Sequence, residues 1–191
     1  MNIKSNQKNA IAGGDLVGGD KVVNNEITNN FLPPVTSALV DRLLAKLRTE
    51  VEQGAHTQEI IDQLQFFYKR STSGGPAGLE EKLRAAGREY EIGHALEKKE
   101  SFAKELERWS LYASAQSVFA HLLARAEHEF SMSVLPNLND ADHATINQMI
   151  TARIVEPTVQ ECGDDMLRVD HRVAMGMVYW LAEQCFIRWS R

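Results

Sequence analysis

The chain is 191 residues long, 43% apolar and 25% charged, with a formal net charge of -5. This is a soluble globular composition, with room for one sizeable core and a short extension but not for a second independent domain. Net acidity argues against bulk attraction to nucleic acid or to an anionic membrane surface. No stretch reaches the roughly 20 consecutive apolar residues of a membrane-spanning helix. Met1-Asn2-Ile3-Lys4-Ser5-Asn6 lacks the apolar run of a secretory signal, so a cytoplasmic location is expected.

Residues 1–34 read as a leader of their own. Gly13-Gly14-Asp15-Leu16-Val17 is followed at once by Gly18-Gly19-Asp20-Lys21-Val22, one unit written twice. Paired glycines supply positive-φ freedom, and each aspartate can accept from its own local amides in a turn. Ile11, Leu16, Val17, Val22, Val23 and Ile27 suit a pleated surface, and Asn24, Asn25, Asn29 and Asn30 tolerate turns. The pattern predicts a short Gly/Asn-rich β ribbon. A ribbon this thin cannot bury its own apolar face, so it needs partners, most simply copies of itself. The expected oligomerisation site is Gly13, Gly14, Asp15, Leu16, Val17, Gly18, Gly19, Asp20, Val22 and Val23. The apolar residues would supply contacts between chains and the glycines close approach.

Two other readings of this leader fail on spacing. A phosphate cradle needs GxxxxGK[ST] and a helix N-terminus behind it, and Lys21 is followed by neither. Glycine-aspartate calcium repeats recur every nine residues or so over many turns, and two shorter units do not make such a site.

Phe31-Leu32-Pro33-Pro34 ends the leader, because a double proline forces extended backbone and cannot continue a ladder. Residues 35–191 then read as a helical domain. Thr36 or Ser37 caps a helix with apolar positions Leu39, Val40, Leu43, Leu44, Leu47 and Val51, stopping at Gly54. Thr57 and Glu59 open a second helix carrying Ile60, Ile61, Leu64, Phe67 and Tyr68, and the two are expected to pair antiparallel. Residues 71–78 are small and form a connection. Leu79, Leu83 and Ala86 mark a short helix ending at Gly87. Residues 89–135 are helical almost throughout, too long for one globular helix, so a break is expected around Trp109-Ser110-Leu111, and Pro136 closes the run. Residues 141–161 are helical again, bent or restarted at Pro157. Met166-Leu167-Arg168-Val169 and Cys185-Phe186-Ile187-Arg188-Trp189 alternate as half-buried strands do, on either side of a helix over 171–181. The predicted fold is therefore mainly α, with a small C-terminal β-hairpin-like element and the β ribbon in front.

Chemistry-bearing patterns are sparse. Of His56, His94, His121, His128, His143 and His171, only His121 and His128 share a helix face, two turns apart. A helical metal pair sits at i, i+4 with a third ligand, so no metal site is assigned. Cys162 and Cys185 form no CxxC and read as buried reduced thiols. Glu97, Glu100, Glu105, Glu107, Glu127 and Glu129 interleave with Lys98, Lys99, Lys104, Arg108 and Arg125 as on a solvated helix face. No nucleophile lies in a GxSxG-like elbow. Tyr179, Trp180, Phe186 and Trp189 have the mass to anchor a core or an interface. No catalytic residue and no cofactor are assigned.

The leader 12–21, the Phe31-Leu32-Pro33-Pro34 boundary, the block Gly78-Leu79-Glu80-Glu81-Lys82-Leu83-Arg84-Ala85-Ala86 and the ending Gly176-Met177-Val178-Tyr179-Trp180-Leu181 with Cys185-Phe186-Ile187-Arg188-Trp189 together resemble proteins of the ABC three-component systems. In these bacterial conflict systems an SMC-like ABC ATPase works with a middle component and a third component, which often fuses an effector to a helical C-terminal domain. The resemblance covers the leader and the helical domain and leaves no room for a fused effector. It therefore implies a non-enzymatic assembly or adaptor subunit of an antiphage system, a homo-oligomer that docks other protein subunits such as the ATPase or an effector. The rival expectations are an effector enzyme with an unrecognised site in the helical domain, and a DNA-binding regulator using the leader as a dimerisation arm.

Overall fold

Past the double proline the chain turns at Ser37 into helix α1 (Ala38–Gln53) of the computed structural model, which describes residues 37–69, 76–162 and 165–189. These all belong to one unit, Pro33–Arg191. The leader, with its expected β ribbon and oligomerisation residues, lies outside the described residues, as does 70–75 of the connection. Val40, Leu44 and Leu47 recur at i, i+4 and i+7 and are buried, each burial contributing roughly 1.5–3 kcal/mol. Gly54 stops the helix in the left-handed region (φ 63°, ψ 30°), its N–H reaching Glu50 and Val51 carbonyls.

Helix α2 (Asp62–Tyr68) starts later than the periodicity predicts. The segment before it already has its backbone groups satisfied from outside. Thr57 N–H donates to Leu111 O at 2.8 Å, Ile61 N–H donates to Gln116 Oε1 at 2.7 Å, and Gln116 Nε2 donates to Glu59 O at 3.1 Å. With these groups paired, a further helical turn gains nothing. The expected antiparallel pair of α1 and α2 also gives way: both pack chiefly on α5 (Ala113–Glu129).

Helix α3 (Gly78–Ala85) ends before Gly87 as expected. After a 3₁₀ turn at Glu89–Glu91 comes α4 (Ile92–Arg108). The predicted break falls at 109–112, where Gln116 Nε2 takes the Ser110 carbonyl at 2.6 Å and Ser110 Oγ takes the Glu107 carbonyl at 2.7 Å. Helix α5 leaves through a π turn, Phe130–Val134, and a 3₁₀ turn, Leu135–Asn137, that contains Pro136. Asp142 caps α6 (His143–Ile150), its carboxylate accepting from Thr145 N–H at 2.7 Å. A second π turn, Thr151–Val155, joins α6 to α7 (Glu156–Cys162). Pro157 lacks the N–H an α ladder requires, and the wider turn just before it accommodates its ring.

Helix α8 (His171–Glu183), capped by Asp170 on Val173 N–H at 2.8 Å, is buried around most of its circumference and is the centre of the fold. Its most extensive partner is α4. The two approach so closely at Gly176 that a Cβ there would lie 2.1 Å from the Lys98 carbonyl oxygen and 3.1 Å from Phe102 Cβ. Phe102 in turn meets Phe119 at 5.9 Å and Trp180 at 5.8 Å edge to face, which binds α4, α5 and α8 into one aromatic core.

The C-terminal β element is not formed: no strand occurs among the described residues. The alternation is one of burial alone. Leu167 and Val169 point inward and Arg168 outward, but Arg168 is left-handed (φ 45°) and its N–H closes a turn on Asp165 O at 3.0 Å. Ile187 and Trp189 are likewise buried, while the run begins with left-handed Cys185 (φ 65°) and Phe186 N–H closing the end of α8 on Leu181 O at 2.9 Å. A left-handed residue in each run breaks the extended conformation a ladder needs. Tyr179 stacks on Trp189 at 5.6 Å, and Trp189 meets Phe130 at 5.5 Å, so this tail is fastened by rings.

Candidate functional site

The apolar stripe of α3 runs Leu79, Lys82, Leu83, Ala86, with a lysine where a hydrophobe is expected. Lys82 is only 1% exposed. Its Nζ donates to the Ala182 carbonyl in the last turn of α8, the negative end of that helix. The favour is returned: Glu183 Oε2 accepts from Leu79 N–H at 3.1 Å in the first turn of α3 and pairs with Lys99 of α4 at 3.4 Å. Two helix ends thus cap each other with opposite charges. Burial holds the Lys82 ammonium below the usual lysine value, opposed in part by the neighbouring Cys185 and Glu183.

A second charge is buried where α3 gives way to α4. Arg88, 2% exposed, donates through Nη1 to Glu91 Oε1 and to Asn147 Oδ1, both at 2.8 Å, and through Nη2 to the His143 carbonyl at 3.4 Å. Glu91 also accepts from the Tyr179 hydroxyl at 3.5 Å. Burial, with Glu91 beside it, raises the Tyr179 phenol well above its ordinary range. One guanidinium therefore joins α6 to the turn that opens α4, and Glu91 carries the link on to Tyr179 of α8.

The third node ties α5 to α7. Arg125 donates to the buried Glu161 carboxylate and, at 2.8 Å, to Thr158 Oγ1, while His121 Nε2 lies 3.5 Å from Glu161 Oε1. Next to it the Cys162 thiol is buried and pushed up to about 12, mainly by desolvation and then by Glu161, which makes it inert at neutral pH. Cys185 is half-buried, against the expectation of a buried thiol.

Each of these charges faces a partner supplied by another turn of the same chain, so what the three nodes do is hold helices in register. Among the described residues no group of three or more His, Cys, Asp or Glu is placed to hold a metal ion. His56 meets the Tyr112 hydroxyl at 3.2 Å, and His171 meets Glu156 at 3.1 Å. Sequence reading missed Lys82 and Arg88. The signal for Lys82 was its place at i+3 from Leu79 inside an apolar stripe; nothing in the sequence marks Arg88.

Among the described residues, helix α2 leaves two aromatic rings partly exposed. On α2, Leu64 and Phe67 point inward, Phe66 is 60% exposed and Tyr68 42% exposed. Phe66 leans on Phe186 at 5.3 Å, and Tyr68 stands edge-on to Trp180 at 5.6 Å. The sequence-predicted oligomerisation residues, Gly13 to Val23, lie outside the described residues.

The family description that matches this chain is C-terminal domain 9 of the ABC-three component (ABC-3C) systems, over residues 78–189. The chain belongs to this CTD9 family. Comparison with curated proteins and with solved structures gives no match. The CTD9 match opens at Gly78, where α3 begins, and closes at Trp189 in the ring cluster. It therefore contains both halves of the α3–α8 cap exchange and the Arg88 and Glu161 nodes, whereas α1 and α2 precede it. As a CTD9 protein the chain is a component of a multi-component system, which implies other protein partners. No helix among the described residues is long and apolar enough to cross a membrane.

Proposed function

We propose that this CTD9 protein is a non-enzymatic assembly or adaptor subunit of a bacterial antiphage system, working in the cytoplasm. Copies gather through the Gly-Gly-Asp leader, and the helical domain docks the protein partners, the ABC ATPase or an effector among them. The observation that carries the reading is the match of 78–189 to a domain of a multi-component system. Charges locked into helix-to-helix contacts agree with a rigid binding body. The mechanism is valency: several weak docking faces held on one scaffold raise one another's effective concentration with no new contact.

Replacing Leu16, Val17, Val22 and Val23 together by serine tests the leader's part in this. Light scattering is expected to give a multiple of 21.4 kDa for the wild-type chain and a lower multiple for the variant. An unchanged mass would remove the leader from the assembly.

A further inference from the structure

The fold gives the two cysteines opposite surroundings. Cys162 is buried beside the Glu161 carboxylate. Cys185 is half-buried and stands in the turn that ends α8, where a left-handed backbone (φ 65°) brings its N–H to the Ala182 carbonyl at 3.1 Å. The same carbonyl accepts from Lys82 Nζ. The two residues thus converge on one oxygen, one from α3 and the other from the end of α8, and the Cys185 side chain hydrogen-bonds to the Lys82 ammonium. Arg188 adds a second positive charge there, while the carboxylate that acts on Lys82, Glu183, is engaged by Leu79 N–H and Lys99. A thiol partly open to solvent and set against cations is in the surroundings that stabilise a reactive thiolate. Its neighbour is a buried amine, a nucleophile in its own right.

We propose that Cys185 is an oxidation site, at which hydrogen peroxide joins its Sγ to Lys82 Nζ in a reversible sulfenamide bond that fastens α3 to the end of α8. The Cys185 thiolate attacks one peroxide oxygen: the S–O bond forms, the O–O bond breaks, and the departing hydroxide takes a proton and leaves as water. Sulfur is oxidised by two electrons and peroxide is reduced by them. The sulfenic acid so formed meets an amine before it meets a second peroxide. Lys82 passes one proton to the sulfenic oxygen, its nitrogen lone pair forms the N–S bond, and the S–O bond breaks with loss of water; a second proton goes to solvent. Burial, which loosens the Lys82 proton, favours this step. One N–H stays on Nζ for the Ala182 carbonyl. A dithiol reverses the bond, returning thiol and amine and leaving as its own disulfide.

Mass spectrometry of the full chain tests this. After exposure to a small excess of hydrogen peroxide, then unfolding in a thiol-alkylating agent and digestion, the Cys185 peptide is expected joined to the Lys82 peptide, two hydrogens lighter than the separate pair. Dithiothreitol added before alkylation should abolish the joined pair. Cys162 should still take the alkyl label, since Cys185 is expected to be oxidised at least about tenfold faster than a buried thiol with an acidic neighbour. Lys82→Arg keeps the cation and removes the amine nucleophile, so dimedone, which traps sulfenic acid, should label Cys185 more in that variant than in wild type. Peroxide added after the wild-type chain is unfolded in urea needs no variant, and should give no joined pair, because the fold is what brings sulfur and nitrogen together. Cys185 carried to sulfinic acid in the folded chain with Lys82 unmodified, Cys162 oxidised as fast as Cys185, an equal yield of the pair from the unfolded chain, or unchanged dimedone labelling in a folded Lys82→Arg variant would each overturn the proposal.

Discussion

Cys162 shows how far burial alone can move a side chain. Its thiol titrates near 9 when exposed and is pushed up to about 12 in the fold. Between these values the unfolded chain has lost the proton and the folded chain keeps it, so stability falls as pH rises, by up to about 1.4 kcal/mol per pH unit. Chemical denaturation at intervals from pH 9 upward is expected to show a shallower loss for Cys162→Ala than for wild type; parallel losses would contradict the burial assigned to it. Lys82 has the opposite sign. Its folded value is depressed by burial, so below the ordinary lysine value of 10.5 the unfolded chain binds the proton more strongly, and stability rises with pH through that window. Subtracting Lys82→Met from wild type should isolate this rise, and a flat difference would count against it. The two residues were not equally legible. Cys162 reads as a buried reduced thiol because it forms no CxxC or metal pattern, whereas a lysine is so rarely buried that the stripe around Lys82 carried less weight than its charge.

At the scale of elements, the helices were legible because their signals are local: Gly54 and Gly87 as stops, and an aromatic-serine break at Trp109-Ser110. What failed depended on tertiary partners. Gln116 satisfies the backbone ahead of α2, and it is 55 residues or more away in sequence, out of reach of any local pattern. The two C-terminal runs failed for another reason. Burial imposes an inward-outward alternation on any extended segment lying against a core, whether or not a ladder forms, so a period of two shows burial before it shows a strand. The sharpest element-level prediction is at the α4–α8 crossing. A methyl group at Gly176 would meet backbone, the Lys98 carbonyl at 2.1 Å, which cannot rotate away. Gly176→Ala should therefore cost at or above the usual roughly 1–3 kcal/mol of overpacking, measured as a lowered denaturation midpoint. A loss of only a few tenths would mean that the helices do not approach so closely.

For the whole molecule, the family region and the folded helical body do not coincide. The match covers 78–189, yet α1 and α2 both pack on α5, and α2 reaches Phe186 and Trp180 from outside the matched region. Two helices that precede the matched region thus form part of the cover over its core. Family membership was legible from the block at 78–86 and the ending at 176–189, whose glycine and aromatic residues form the tightest contacts of the fold. The doubled Gly-Gly-Asp leader is proposed to set how many copies gather. The most direct test compares, by light scattering in dilute solution, the full chain with a chain beginning at Pro34. A defined multiple of 21.4 kDa is expected for the first, and a folded helical protein of lower multiplicity for the second. A monomer in both, or the same multiple in both, would contradict it.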